Sequence, residues 1–410
     1  MLNGSQFQRD SESSLLCLYY PQQLLPGLAA VMSYRRHRGK DAKAPLTVLV
    51  WSHPATEHKT RERRLQAFNV LLEGFPWATL FFPEQDEVKA HLSHNSRVMR
   101  KADYLRGKYG KSAFAAVYYA HDISADFIAQ SAMQAYPNAS RVCFGDALGV
   151  VYSNDYFTDH TYPVGAVEAF SRSIQTIRNL LFRLKRTWTL PTRGRRLDTE
   201  HALLILPCDP GGDFLLGKEL QPVDYESLIH VLDCLSRSAE RYLIKQKCWI
   251  EGDANSNVVM LLGSYSESRL TSEIQECALY VEAARLHILP GSKIILKAHP
   301  VSQPEKIALI KQALSVHYDT VVVTNDEIPI ETLPSLAKHY KIISFSYSSV
   351  SLTYLYGSAV LHAMNDIMIN TFFPEETRFW MRESNALYLQ QIDIARRLSS
   401  KQSEALACQK

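Results

Sequence analysis

The feature that most restricts this chain is a rhythm in which short β-rich runs alternate with amphipathic helical stretches. In the first half the strand candidates are 45–52 (PLTVLVWS), 78–83 (ATLFFP), 114–120 (FAAVYYA) and 140–144 (SRVCF), with charged, helix-patterned stretches such as 61–72 and 87–109 between them. The rhythm restarts with strand candidates at 202–206, 258–262, 293–297, 320–323, 341–345 and 359–362. Helical patterns fill the gaps at 225–244, 267–286, 304–317 and 330–339. Consecutive parallel strands need a long crossover, usually a helix, so this alternation predicts parallel sheets covered by helices.

The expected fold is therefore α/β, with two Rossmann-like domains facing each other and the site in the cleft between them. A length of 410 residues exceeds what one hydrophobic core usually serves, which points the same way. The stretch 165–190 reads as one long helix running into LKRTWTLPTRGRR, from Leu184 to Arg196, where Pro191 and Gly194 make the best linker. That sets the domains at 1–195 and 196–375, followed by a helical segment at 376–410 that would cross back to the first domain. A basic run is usually a solvated face, but this one also suits peripheral attachment to an anionic membrane surface.

Other classes are disfavoured. The segment 15–32 is moderately apolar but carries Pro21, Gln22, Gln23 and Pro26, so it reads as broken buried structure and not as a membrane span. No basic stretch precedes an apolar core at the start, so a secretory leader is not expected. Seven scattered cysteines without a C-x-x-C pair argue against a disulfide framework or structural zinc, and a reducing, cytoplasmic setting follows. A net charge of +3 is too small to make nucleic acid the partner.

In open parallel sheets ligands gather at the carboxyl ends of the strands. After the strand at 293–297 comes Ala298-His299-Pro300. A protonated imidazole there can bind a phosphate oxygen and follow a leaving group with a proton, although His53-Pro54 shows how cheaply the dipeptide arises. After 341–345 comes Ser346-Tyr347-Ser348-Ser349 at a helix start, where hydroxyls and unpaired N–H groups suit an anion or simply cap the helix. Glu331, in Glu327-Ile328-Pro329-Ile330-Glu331, either favours a helix dipole or accepts from ribose hydroxyls. Gly263-Ser264 follows another strand and offers backbone contacts to a nucleotide. Gly211-Gly212-Asp213 reads as a surface turn. In the first half, Gly145-Asp146-Ala147-Leu148-Gly149 presents a carboxylate that can act as a general base or cap a turn, and His121-Asp122 competes for the same role.

In this order the residues resemble the bacterial sialyltransferases of GT-B fold, including the capsular alpha-2,8-polysialyltransferases. Those enzymes carry an acidic D/E-D/E-G motif, then an HP motif, a proline–glutamate loop and paired serines. The matching positions are Asp146, His299-Pro300, Pro329 with Glu331, and Ser348-Ser349; the acidic motif departs, reading Gly-Asp-Ala with a glycine at Gly149. The resemblance implies Asp146 as base, His299 on the donor phosphate with Ser348 and Ser349, and Glu331 on the ribose. It implies an inverting, metal-independent transfer from a CMP-activated acidic sugar, with no cofactor, to an oligosaccharide, glycolipid or capsule acceptor. Two rivals stay open: a GT-B enzyme using CMP-Kdo or a UDP-sugar, an epimerase included, and a non-catalytic subunit of glycan export.

Overall fold

The computed structural model describes residues 13–52, 56–92, 98–110, 114–121, 127–151, 199–209, 220–245, 257–322, 327–358 and 360–408. The chain divides into two compact units, and the division falls between Ser238 and Ala239.

Among the described residues the first unit holds seven parallel strands: β1 (Ser14–Leu18), β2 (Leu46–Val50), β3 (Ala78–Phe81), β4 (Ala116–Tyr119), β5 (Ser140–Cys143), β6 (His201–Leu204) and β7 (Leu220–Pro222). Their order is β3-β2-β1-β4-β5-β6-β7. The segment read as broken buried structure supplies β1, a proline-led turn at Pro21–Gln23, and helix α1 (Leu24–His37). β1 pairs with both β2 and β4, and all five of its residues are buried. A strand covered on both faces has no polar alternation, which is why periodicity overlooks it. Helices α2 (His58–Leu72), α3 (Val98–Tyr109) and α4 (Phe127–Ala135) follow the strands. Part of the core, including Leu15, Leu49, Val117, Ile128, Ala132 and Leu204, packs between the sheet and helices α3 and α4.

The second unit repeats the plan with β8 (Asn257–Leu261), β9 (Lys293–Lys297), β10 (Asp319–Val322), β11 (Lys341–Ser344) and β12 (Val360–His362), in the order β10-β9-β8-β11-β12. Helix α5 (Tyr225–Lys245) contains the unit boundary. It is followed by α6 (Glu273–His287), α7 (Pro304–Leu314), α8 (Pro334–His339), α9 (Ser348–Tyr356), α10 (Asp366–Phe372) and α11 (Glu375–Cys408). Every described strand pair in both sheets is parallel. The two-sheet α/β class read from the sequence is the one observed.

The boundary differs from the expected one. The strand placed at the head of the second domain, 202–206, is β6, which pairs with β5 in the first sheet through Val142↔His201 and Cys143↔Ala202. The basic stretch from Leu184 to Arg196, the long helix 165–190 and the turn 211–213 lie outside the described residues. A proline- and glycine-bearing stretch looks the same in sequence whether it joins two domains or two strands of one sheet. Helix α6 also starts six residues late, at Glu273, because the Ser272 side chain caps it by accepting from the Gln275 N–H at 3.2 Å. The C-terminal helix α11 packs on α9 and α10 within its own unit.

Candidate functional site

Each sheet has a topological switch point, between β1 and β4 in the first and between β8 and β11 in the second. Side chains after these strands, and after the strands next to them, form two sites, one on each unit.

In the first unit the chain leaves β5 through Phe144 into a tight loop. The Asp146 N–H donates to the Val150 carbonyl at 2.7 Å and the Val150 N–H returns to the Asp146 carbonyl at 2.9 Å. Gly145 (φ +74°) and Gly149 (φ +127°) face each other so closely that a Cβ on Gly145 would lie 2.6 Å from Gly149 Cα. Only glycine fits both positions, and the loop they permit turns the Asp146 carboxylate outward, 40% exposed. Its Oδ1 accepts from the Ala147 N–H at 2.9 Å and from the Gln23 side-chain amide at 3.3 Å. His121 Nε2, from the end of β4, stands 3.6 Å from Oδ2. Burial alone would raise this carboxyl, but the His121 contact, the Ala147 N–H and Gln23 outweigh it and hold the acid below its usual range. Gln23 is itself fixed, its Oε1 accepting from the Tyr19 N–H at 2.8 Å. The His121 imidazole thus joins the Asp146 carboxylate; its neighbour Asp122, and the first HP pair at His53-Pro54, lie outside the described residues.

In the second unit β9 runs straight into Ala298-His299-Pro300. His299 Nδ1 accepts from the Val301 N–H at 3.4 Å, which leaves the proton of a neutral ring on Nε2. Burial, and next the Lys297 cation, push this imidazole down to about 4. The unliganded ring is therefore neutral near pH 7, and not protonated as expected from the sequence. An incoming anion would reverse that balance by favouring the charged form.

Glu331 lies in a 3-10 turn at Ile330–Thr332 beyond β10. Burial raises its carboxyl above the ordinary range, against the pull of its own backbone N–H, the Ser351 hydroxyl, Lys297 and the Ser348 hydroxyl. Two predicted residues, Glu331 and Ser348, therefore meet. Lys297, the last residue of β9, is 6% exposed, and its charge acts on both His299 and Glu331. In the sequence Lys297 reads as a strand residue and Ser351 as a helix residue. A lysine closing the apolar strand KIILK, two positions before His299, was the available signal, because a buried cation needs a reason.

Three expectations need correction. Ser349 is fully buried: its hydroxyl donates to the Ser346 carbonyl at 2.9 Å and lies 2.9 Å from His362 Nδ1. His362 Nε2 in turn meets Asn385 Oδ1 of α11 at 2.8 Å, so Ser349 ties the loop to the C-terminal helix instead of facing a ligand. The N–H groups expected to be unpaired at the start of α9 are engaged: that of Ser348 donates to Ser346 Oγ, that of Ser349 to the Ser346 carbonyl, and those of Val350 and Ser351 to the Tyr347 carbonyl. The Gly263 N–H, expected to contact a nucleotide, donates to the Tyr280 hydroxyl at 2.9 Å. A Cβ on Gly263 would lie 2.9 Å from the Tyr265 ring, and in the loop that follows Ser264 and Ser266 are half-buried.

A sequence search among curated proteins finds no match. Solved structures similar to the chain include the UDP-GlcNAc 2-epimerase from Methanocaldococcus jannaschii, at 9% identity and TM-score 0.44, covering 94% of this chain and 92% of that one. The UDP-GlcNAc 2-epimerase from Neisseria meningitidis, bound to UDP-GlcNAc, matches at 11% identity and TM-score 0.41, covering 94% of each chain. Phytolacca americana UGT2, complexed with UDP-2-fluoro-glucose and pterostilbene, matches at 12% identity and TM-score 0.43, covering 95% of this chain and 94% of that one. Likeness at this level assigns no chemistry to the chain. The model of the alpha-2,8-polysialyltransferase (POLYST) family, by contrast, matches residues 82–361, which is more than half of the chain and includes Asp146, His299, Glu331 and Ser348; the chain belongs to that family of glycosyltransferases.

Proposed function

We propose that this glycosyltransferase moves a sialic acid, or a related nonulosonic acid, from a CMP-sugar to a glycan hydroxyl, with inversion and without a metal ion or other cofactor. The observation that carries the reading is the donor-side cluster at the ends of β9, β10 and β11. There a buried Lys297 cation, the His299 Nε2–H, the Glu331 carboxyl and the Ser348 hydroxyl lie at the carboxyl end of one sheet. A single phosphate would find a cation and a hydrogen-bond donor in Lys297 and His299, and Glu331 with Ser348 would suit the ribose hydroxyls.

In the transfer, the acceptor hydroxyl gives its proton to Asp146 as its oxygen bonds to the anomeric carbon. The bond from that carbon to the phosphate oxygen breaks, and CMP leaves with the electron pair. Asp146 is ionised at neutral pH and therefore a weak base, so the proton must move as the new bond forms. His121, beside Asp146 Oδ2, would stabilise the carboxylate before transfer. On the donor side His299, neutral in the free protein with its proton on Nε2, would donate that N–H to the phosphate oxygen, and binding of the anion would favour uptake of a second proton from solvent. One carboxylate and one direct displacement give inversion. The basic stretch from Leu184 to Arg196 would hold a cytoplasmic enzyme at an anionic membrane surface. Among the described residues no helix is long and apolar enough to cross a membrane.

The test is incubation of the full chain with CMP-sialic acid, with and without a sialylated oligosaccharide, and assay of released CMP. Acceptor-dependent release supports the reading. A thermal shift with UDP but none with CMP would move the donor to another nucleotide-sugar.

A further inference from the structure

Behind the donor-side cluster lies a buried charge network that the mechanism above does not use. Lys306, on the first turn of α7, is 1% exposed and donates to Glu267 Oε2 at 2.6 Å and to Glu276 Oε1 at 2.9 Å. Glu276, on the first turn of α6, is fully buried. Its Oε1 also accepts from the Tyr280 hydroxyl at 2.6 Å and the Tyr265 N–H at 3.2 Å, and its Oε2 from the Ser266 N–H at 2.7 Å. Tyr280 holds the Gly263 N–H, and the Tyr265 hydroxyl donates to the Phe345 carbonyl at the end of β11. Glu267 also accepts from the backbone N–H of Gln303, in the loop that begins at His299.

Three charges out of water are costly, and well-packed apolar side chains often stabilise a core as much or more. The network spends that cost on loops: it ties the turn after β8, the loop after β9 and the end of β11 to one another. The charges that act on His299 are those of Lys297 from β9, Glu267 from the loop after β8, Lys306 from α7 and Glu276 from α6. The two carboxylates favour protonation of the ring and the two lysines oppose it.

We propose that Glu267, Glu276 and Lys306 are positioning residues that fix the loop carrying His299 and so set the surroundings of its imidazole. The consequence for catalysis rests on the donor-phosphate role given to His299 above; the positioning itself does not.

The experiment is an NMR titration of the full chain carrying 15N-labelled histidine, from pH 3 to pH 8, with the His299 signal assigned by its loss in His299→Gln. Glu267→Gln is isosteric and lies at the edge of the network, with its side chain 17% exposed, so it keeps the fold. It should lower the His299 midpoint by about half a pH unit, and Lys306→Met should raise it by a similar amount. An unchanged midpoint in folded Glu267→Gln, or movement of both variants in the same direction, would leave a packing role only and overturn the proposal. Should Lys306→Met fail to fold, Glu267→Gln decides alone. The titration needs no donor. Opposed midpoint shifts without CMP release would therefore sink the transferase reading and keep the positioning role, and CMP release with unmoved midpoints would do the reverse.

Discussion

The two sheet ends handle their acids in opposite ways. At the first, burial would raise the Asp146 carboxyl, but the His121 contact and the hydrogen bonds from Ala147 and Gln23 outweigh it, so the acid is held low and charged before any ligand arrives. At the second, burial dominates: Glu331 is raised and His299 is pushed down to about 4, so both are biased toward their neutral forms. A group meant to accept a proton from a neutral alcohol gains from being ionised at rest. An imidazole proposed to meet an anion gains from charging only when the anion binds, because the charge is then not solvated in advance, and a carboxyl proposed to meet ribose hydroxyls needs no charge beforehand.

That contrast can be broken most directly at Asp146. Asp146→Asn should lower transfer by roughly a hundred- to ten-thousandfold while leaving CMP affinity in a calorimetric titration unchanged. Equal loss of both would mean that the first site is not separate in function. At the opposite end, His299→Gln should weaken CMP binding about tenfold and reduce its pH dependence, leaving what the phosphate's own titration at about pH 6 contributes. In the wild type, affinity should tighten as pH falls and level off near 4, where the unliganded ring is already protonated. The same group predicts stability with the sign reversed. Its folded pKa lies below the unfolded value, so the unliganded protein should lose stability as pH drops from about 6.5 toward 4, and His299→Gln should flatten that slope.

Smaller effects sharpen the comparison. Gly145→Ala should cost about 1–3 kcal/mol in denaturant unfolding and lower transfer with it, because the left-handed backbone and the 2.6 Å approach to Gly149 leave no room for a methyl group. Asn385→Ala should cost roughly 1 kcal/mol by leaving His362 short of a partner. Its effect should fall on the donor side, through Ser349, and leave the Asp146 side untouched.

How far the site was legible follows from what each residue needed. Asp146, His299, Glu331 and Ser348 follow strands, and strand ends in a parallel α/β sheet are where ligands bind, so rhythm brought them among the candidates and the resemblance to the polysialyltransferases singled them out. Ser349 stands next to Ser348 and differs from it only in facing His362 and not Glu331, a choice made by the backbone of the α9 start. Lys306 and Glu276 look like ordinary charged helix residues until the fold buries them against each other.

The order of residues by itself determined the alternation of strands and helices, the two parallel α/β units and the placement of chemically able groups at strand ends, because these depend on patterns a few residues long. Only the tertiary structure decided that β6 and β7 complete the first sheet, that the Gly263 and α9 N–H groups are already engaged, and which acids and bases rest charged. Strand partners, hydrogen-bond acceptors and solvation are set by neighbours distant along the chain, and no local window contains them.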